Sequence, residues 1–181
     1  KSDMRSAKFI IGHRSPADLV MSFYTYLHKR EQSISSHMLS GINHIKDCQG
    51  AHATQRLDKM SAAEWDVFFK CVYSYPTFVH SGLYLISLLD FFRHGFRGTQ
   101  FFFISTKRIS SPNSIKQVLR FVGTALAEDQ MKCKTLNKQP KHNISETLAT
   151  AKKMLHSFFS PYEAVLWGRI VQEYSINFDR P

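Results

Sequence analysis

Arg14 and Ser22 are the residues whose types and spacing best support chemistry. The stretch Lys8-Phe-Ile-Ile-Gly-His-Arg14 reads as a short apolar strand ending on an arginine, and Ser15-Pro16-Ala17-Asp18 opens a helix that carries Ser22. A guanidinium gives charge-assisted, paired hydrogen bonds and a hydroxyl gives a neutral one, so together they suit an oxyanion such as a phosphate. Ser15 supplies an N-cap hydroxyl, Pro16 the first helical position and Asp18 an N3 carboxylate, which predicts a helix from residue 16. At 1.5 Å per residue Ser22 stands about 10 Å along the axis from Ser15, on nearly the same face. A folded-back Arg14 could share an anion with it.

Other constellations carry less. His44, Cys48 and His52 are spaced four apart and, with His37, would line one face of a helix as zinc ligands. Gly41 and Gly50 argue against a continuous helix there, so these are read as neutral loop residues and no metal is expected. No Gly-x-Ser-x-Gly elbow appears, and hydrolase chemistry has no support. Phe23, Tyr24 and Tyr26 near Lys29 and Arg30 could stack nucleic-acid bases. Those aromatics, however, sit at helical core spacing, so no nucleic-acid partner is expected.

The elements that position these groups are legible in outline. The chain has 181 residues, 43% hydrophobic and 13% aromatic, enough for a substantial core. Twenty-four Lys and Arg against fourteen Asp and Glu give a formal charge of +10, which concentrates polyanions such as sulfated glycans, nucleic acid or anionic membrane, and charge alone does not choose among them. No apolar run is long enough for a membrane span. Cys48, Cys71 and Cys133 allow one bridge and one leftover thiol, with the pairing open. Asn143-Ile144-Ser145 is a single N-glycosylation sequon, a weak pointer to the secretory pathway.

Residues 31 to 60 read as a long surface excursion, with His28, Lys29 and Arg30 at its entrance as candidate acceptor contacts. Ser61-Ala-Ala-Glu64 is a capping box for a helix that Pro76 stops. An apolar helix over about 82 to 92 closes near Gly95, and residues 100 to 105 form a short strand buried on both faces. Ser111-Pro112 opens another helix, ending at Gly123. Residues 127 to 143 turn polar and basic. Two helices then close the chain, about 145 to 159 and 161 to 174, separated at Ser160-Pro161. Two buried strands with helices between them predict an α/β layer structure with a parallel sheet flanked by helices.

The Arg14/Ser22 pair after a strand and a proline resembles the 3'-phosphate-binding motif of sulfotransferases that use 3'-phosphoadenosine 5'-phosphosulfate. The succession Cys71-Val-Tyr73, Ser81-Gly-Leu-Tyr-Leu-Ile-Ser-Leu-Leu-Asp90, Gln100-Phe-Phe-Phe-Ile, 115 to 122 and Phe158-Phe-Ser-Pro-Tyr162 is similar in order and spacing to carbohydrate sulfotransferases. Within them it resembles the heparan and chondroitin branch, especially the enzyme that 6-O-sulfates N-acetylgalactosamine 4-sulfate. The Arg14/Ser22 pair and Gly82-Leu83-Tyr84 are the specific parts.

The resemblance implies a P-loop-like sulfotransferase fold, with 3'-phosphoadenosine 5'-phosphosulfate as co-substrate and a glycosaminoglycan-like acceptor. It also implies Golgi residence, with a type II membrane anchor outside this chain. A lysine-bearing 5'-phosphosulfate loop and a following general base, which the family carries on its first strand-loop-helix unit, are not in this sequence. Residues 1 to 181 are therefore expected to be the C-terminal part of a single sulfotransferase domain, with no catalytic residue assigned and with a fragment's activity in doubt. The family's late Lys-Gly-Arg cofactor loop corresponds to Asn137-Lys138-Gln139-Pro140-Lys141-His142, where only the basic character survives and Lys138 and Lys141 become candidate phosphate contacts. The alternative is a non-catalytic basic domain that binds polyanions, glycan or nucleic acid.

Overall fold

The computed structural model describes residues 6–27, 34–50, 52, 54–124 and 146–179. It is mostly helical, with a small parallel three-stranded sheet, compatible with an α/β fold. The chain divides into two compact units. One holds residues 1–14, 92–142 and 170–181, and the other holds 15–91 and 143–169.

The sheet belongs to the first unit, with strand order β1-β2-β3. Strands β1 (Phe9–His13) and β2 (Phe101–Ser105) run parallel in register from Phe9 opposite Phe101 to His13 opposite Ser105. The two-residue β3 (Asn177–Phe178) adds to the other side of β2, also parallel. β2 is buried along both faces, as its unbroken Phe-Phe-Phe-Ile run requires. β1 is not. It alternates half-buried and exposed residues, with Ile10 at 47% exposure, because it is an edge strand among the described residues. Helix α5 (Pro112–Val122) packs on β2, capped by Ser111 at its start and by Gly123, in the left-handed conformation, at its end. Lys8 Nζ donates to the carbonyl of Phe121, at the end of that helix.

The second unit is helical. It contains α1 (Pro16–Leu27), α2 (Ile34–Gln49), a 3₁₀ segment Thr54–Lys59, α3 (Ala62–Ser74), a second 3₁₀ segment Val79–Gly82, most of α4 (Tyr84–Arg93) and α6 (Glu146–Val165). The capping box of α3 forms as its sequence predicts. Glu64 N–H donates to Ser61 Oγ at 3.3 Å, and Ser61 N–H donates to Glu64 Oε2 at 2.7 Å. Trp65 Nε1 then donates to Asp90 Oδ1 at 2.9 Å and ties α3 to α4.

Three sequence expectations are corrected. Residues 34 to 49 are helix, not surface excursion, with Ile34, Met38, Ile42 and Ile45 buried on one face. Gly41, which argues against a helix by propensity, is there for close packing, since a Cβ on it would lie 2.2 Å from Thr77 Oγ1 and 2.7 Å from Val79 Cγ2. Pro161 does not separate two helices. It lies inside the twenty-residue α6, which runs on into a π-helical turn, Leu166–Ile170, and the short α7 (Val171–Glu173). Ser157 and Pro161 are both exposed, so the missing helical N–H falls on an exposed stretch of α6, where the loss is tolerable.

Candidate functional site

The sheet unit brings polar groups together where β1 and β2 end. Thr106 N–H donates to the carbonyl of His13 at 2.8 Å, extending the pairing one step past the strands. Arg14 therefore leaves the sheet beside Thr106 and Lys107, at the same edge, with strands spaced about 4.8 Å apart. All three residues are exposed. The carboxyl ends of parallel strands are where α/β sheets bind ligands, because the chain diverges there into separate turns and leaves a crevice. Here the turn after β2 is locked by its own bonds. Arg108 N–H donates to Ser105 O at 2.9 Å, and Ser111 N–H donates to Arg108 O at 2.8 Å, which delivers the chain to the N-cap of α5.

Asp179, just after β3, organises this edge and is 6% exposed. It accepts from Ser105 N–H at 3.1 Å, from Arg108 Nε at 3.2 Å and from Ser114 Oγ at 3.4 Å. Arg108 also donates to the Asp179 carbonyl at 3.1 Å. Ser111 Oγ donates to Ser114 Oγ at 2.9 Å, so the cap of α5 joins the same network. The buried carboxylate thus neutralises Arg108 and fixes the turn, while Arg14 and Lys107 are exposed at the same edge. Burial pushes the His13 imidazole below its ordinary value, and the nearby Asp179 charge offsets part of that shift. The edge is suited to holding an anion.

Ser22 lies half-buried in α1, in the helical unit, whereas Arg14 closes β1 in the sheet unit. Helix α1 begins at Pro16, where the sequence places it, and Leu19 N–H donates to Ser15 O at 2.9 Å. The expected hydroxyl cap does not form. Ser15 Oγ is buried without a hydrogen-bond partner, and Asp18 pairs with Lys152 of α6 at 2.6 Å. His28, Lys29, Arg30, Lys138, Lys141, Cys133 and Asn143 lie outside the described residues.

The histidine and cysteine set resolves differently from its sequence expectation. His44 and Cys48 do share a face of α2, because that segment is helical, and Cys71 of α3 approaches them so that their donor atoms lie within 4.8 Å of one another. The two sulfurs, however, form the Cys48–Cys71 disulfide, and a disulfide offers no thiolate to a metal. His44 Nε2 lies 2.8 Å from the carbonyl of Cys71 and bonds there. His37 packs between the rings of Tyr24 and Phe78, away from that set. Sequence reasoning missed Lys107, Arg108 and Asp179. The available signal was Ser105-Thr-Lys-Arg108, a polar and basic turn immediately after a buried strand.

No family model, curated protein or solved structure matches the chain.

Proposed function

We propose that this chain is the C-terminal part of a carbohydrate sulfotransferase domain. It would transfer a sulfuryl group from 3'-phosphoadenosine 5'-phosphosulfate to a hydroxyl of a glycosaminoglycan-like saccharide. The observation that carries the reading is the position of Arg14 at the carboxyl end of a parallel strand, followed at once by a proline-initiated helix bearing Ser22. In this reading Arg14 and Ser22 hold the donor's 3'-phosphate, the group that separates this donor from ordinary adenine nucleotides. Lys107 shares the edge from which Arg14 emerges and adds positive charge to it. Lys138 and Lys141 remain proposed phosphate contacts, and His28, Lys29 and Arg30 proposed acceptor contacts.

The residues named here bind and orient; none of them is assigned to proton transfer. Holding donor and acceptor in line, with cations near the leaving phosphate, supplies most of the rate in such a transfer. A protein of formal charge +10 also gathers a sulfated acceptor, and raised salt weakens that attraction. Golgi residence and a membrane anchor outside the chain belong to the same proposal. No helix among the described residues is long and apolar enough to cross a membrane.

The test is calorimetric titration with 3'-phosphoadenosine 5'-phosphate and with adenosine 5'-monophosphate. The reading expects the 3'-phosphate to improve affinity by about tenfold or more, the worth of one charge-assisted pair. Equal affinity for the two nucleotides would leave the alternative, a non-catalytic domain that binds polyanions through its net charge.

A further inference from the structure

The helical unit holds a second group of side chains whose types could carry chemistry. His44 and Cys48 stand one turn apart on α2, and Cys71 approaches them from the last turn of α3. All three are half-buried, and one donor atom from each lies within 4.8 Å of the others. In the oxidised chain the two sulfurs are joined. A disulfide that only staples two helices needs no imidazole, yet His44 Nε2 lies 3.5 Å from Cys48 Sγ. Around a tetrahedral zinc ion, with Zn–N about 2.1 Å and Zn–S about 2.3 Å, nitrogen and sulfur ligands stand about 3.6 Å apart. His44 and Cys48 already have that spacing.

Reduction completes the set with little rearrangement. A dithiol reductant delivers two electrons and two protons to the bridge and itself closes to a disulfide, which leaves Cys48 and Cys71 as free thiols. Their sulfurs then part to van der Waals separation, roughly 3.8 Å, which is also the sulfur–sulfur spacing of two zinc-bound cysteines. Rotation about the Cα–Cβ bonds supplies that difference across Cα atoms 5.6 Å apart. His44 Nε2 bonds the carbonyl of Cys71, and that carbonyl also accepts from Ser74 Oγ at 2.7 Å, so it keeps a donor when the imidazole turns to a metal. The His44 ring lies against that of Tyr75, with centroids 4.9 Å apart, and Tyr75 Oη shares a 3.0 Å hydrogen bond with Ser40 Oγ. Outer contacts of this kind orient a histidine ligand.

We propose that His44, Cys48 and Cys71 form a redox-gated zinc site, closed as a disulfide and open to one zinc ion when the bridge is reduced. Zinc displaces both thiol protons, binds the two thiolates and the imidazole, and leaves its fourth position to water, since the group supplies three protein ligands among the described residues. Bound thiolates cannot rejoin without releasing the metal, so the two states exclude each other. The proposal does not rest on the sulfotransferase reading.

The experiment is titration with Co²⁺ followed by displacement with Zn²⁺, on the full chain in its oxidised form and after reduction by a dithiol that is then removed under nitrogen. The reduced chain is expected to take up one Co²⁺, with thiolate-to-cobalt charge transfer in the near ultraviolet and the strong visible bands of four-coordinate cobalt, both erased by equimolar Zn²⁺. The oxidised chain is expected to show neither. His44→Ala, which leaves both thiols, is expected to weaken Zn²⁺ binding about tenfold or more, and Cys133→Ser, which removes the remaining thiol, to leave it unchanged. Equimolar Zn²⁺ should raise the unfolding midpoint of the reduced chain and not that of the oxidised chain, which separates a native site from metal scavenged by unfolded thiols. No cobalt spectrum after reduction, equal zinc affinity in the two redox states, unchanged affinity in His44→Ala, loss of the site in Cys133→Ser, or no rise in the midpoint overturns the proposal.

Discussion

Asp179 shows how one side chain decides what its neighbours can do. Its carboxylate is shut away from water and meets Arg108, Ser114 Oγ and the Ser105 N–H, so the charge is compensated on several sides. Removing it strands a guanidinium and a hydroxyl around an apolar methyl. Asp179→Ala is expected to lower stability by about 3 kcal/mol, and Arg108→Ala, whose side chain is 40% exposed, by about 1 kcal/mol, read from urea unfolding curves. His13 gives the edge a pH dependence. Its folded value lies below 6.5, so both states are neutral above that pH and the native state is not penalised. As pH falls below 6.5, the unfolded chain takes up the proton first, and stability drops until the pH passes the folded value. His80, lowered by burial, acts with the same sign. Unfolding free energies measured at pH 7.5 and 5.5 should therefore converge, though not completely, in His13→Gln.

At the scale of elements, the sequence shows best the helices that carry their own start and stop signals. Ser61 with Glu64, and Ser111-Pro112 with Gly123, are local devices, and both helices appear where those residues place them. β2 is equally plain, because four successive large apolar residues in so short a run suit a strand buried on both faces. Helix α2 hides behind Gly41. Its propensity cost is local and visible, whereas its reason, contact with Thr77 and Val79 some thirty-six residues on, is tertiary. Gly41→Ala forces a Cβ into that contact and is expected to cost about 1–3 kcal/mol in thermal or urea unfolding, where a helix surface glycine would gain from the same change. β3 escapes for the opposite reason: two residues have no periodicity to detect. Pro161 misleads because its ring is tolerated on an exposed stretch of α6, a property of the assembled helix.

Over the whole molecule, the candidate anion edge is legible only in part. Arg14 stands out because a strand and a helix signal flank it, and Lys107 becomes its neighbour only through the pairing of strands about ninety residues apart in sequence. Asp179 comes from yet another crossover, so nothing near Arg14 in the chain announces it. The Cys48–Cys71 bridge is likewise a consequence of α2 lying against α3, after three cysteines had left the pairing open. The formal charge of +10 is a global property, which raises the concentration of anions at the surface without selecting among them.

The most direct measurement is the ratio of affinities for 3'-phosphoadenosine 5'-phosphate and adenosine 5'-monophosphate in the unaltered chain and in Arg14→Ala. Because both ligands share the adenine, ribose and 5'-phosphate, the ratio isolates the 3'-phosphate from general attraction to a basic protein. The account predicts a preference of about tenfold or more that falls to near unity in Arg14→Ala, with the monophosphate affinity almost unchanged. A ratio near unity in the unaltered chain, or one that survives Arg14→Ala intact, would contradict it.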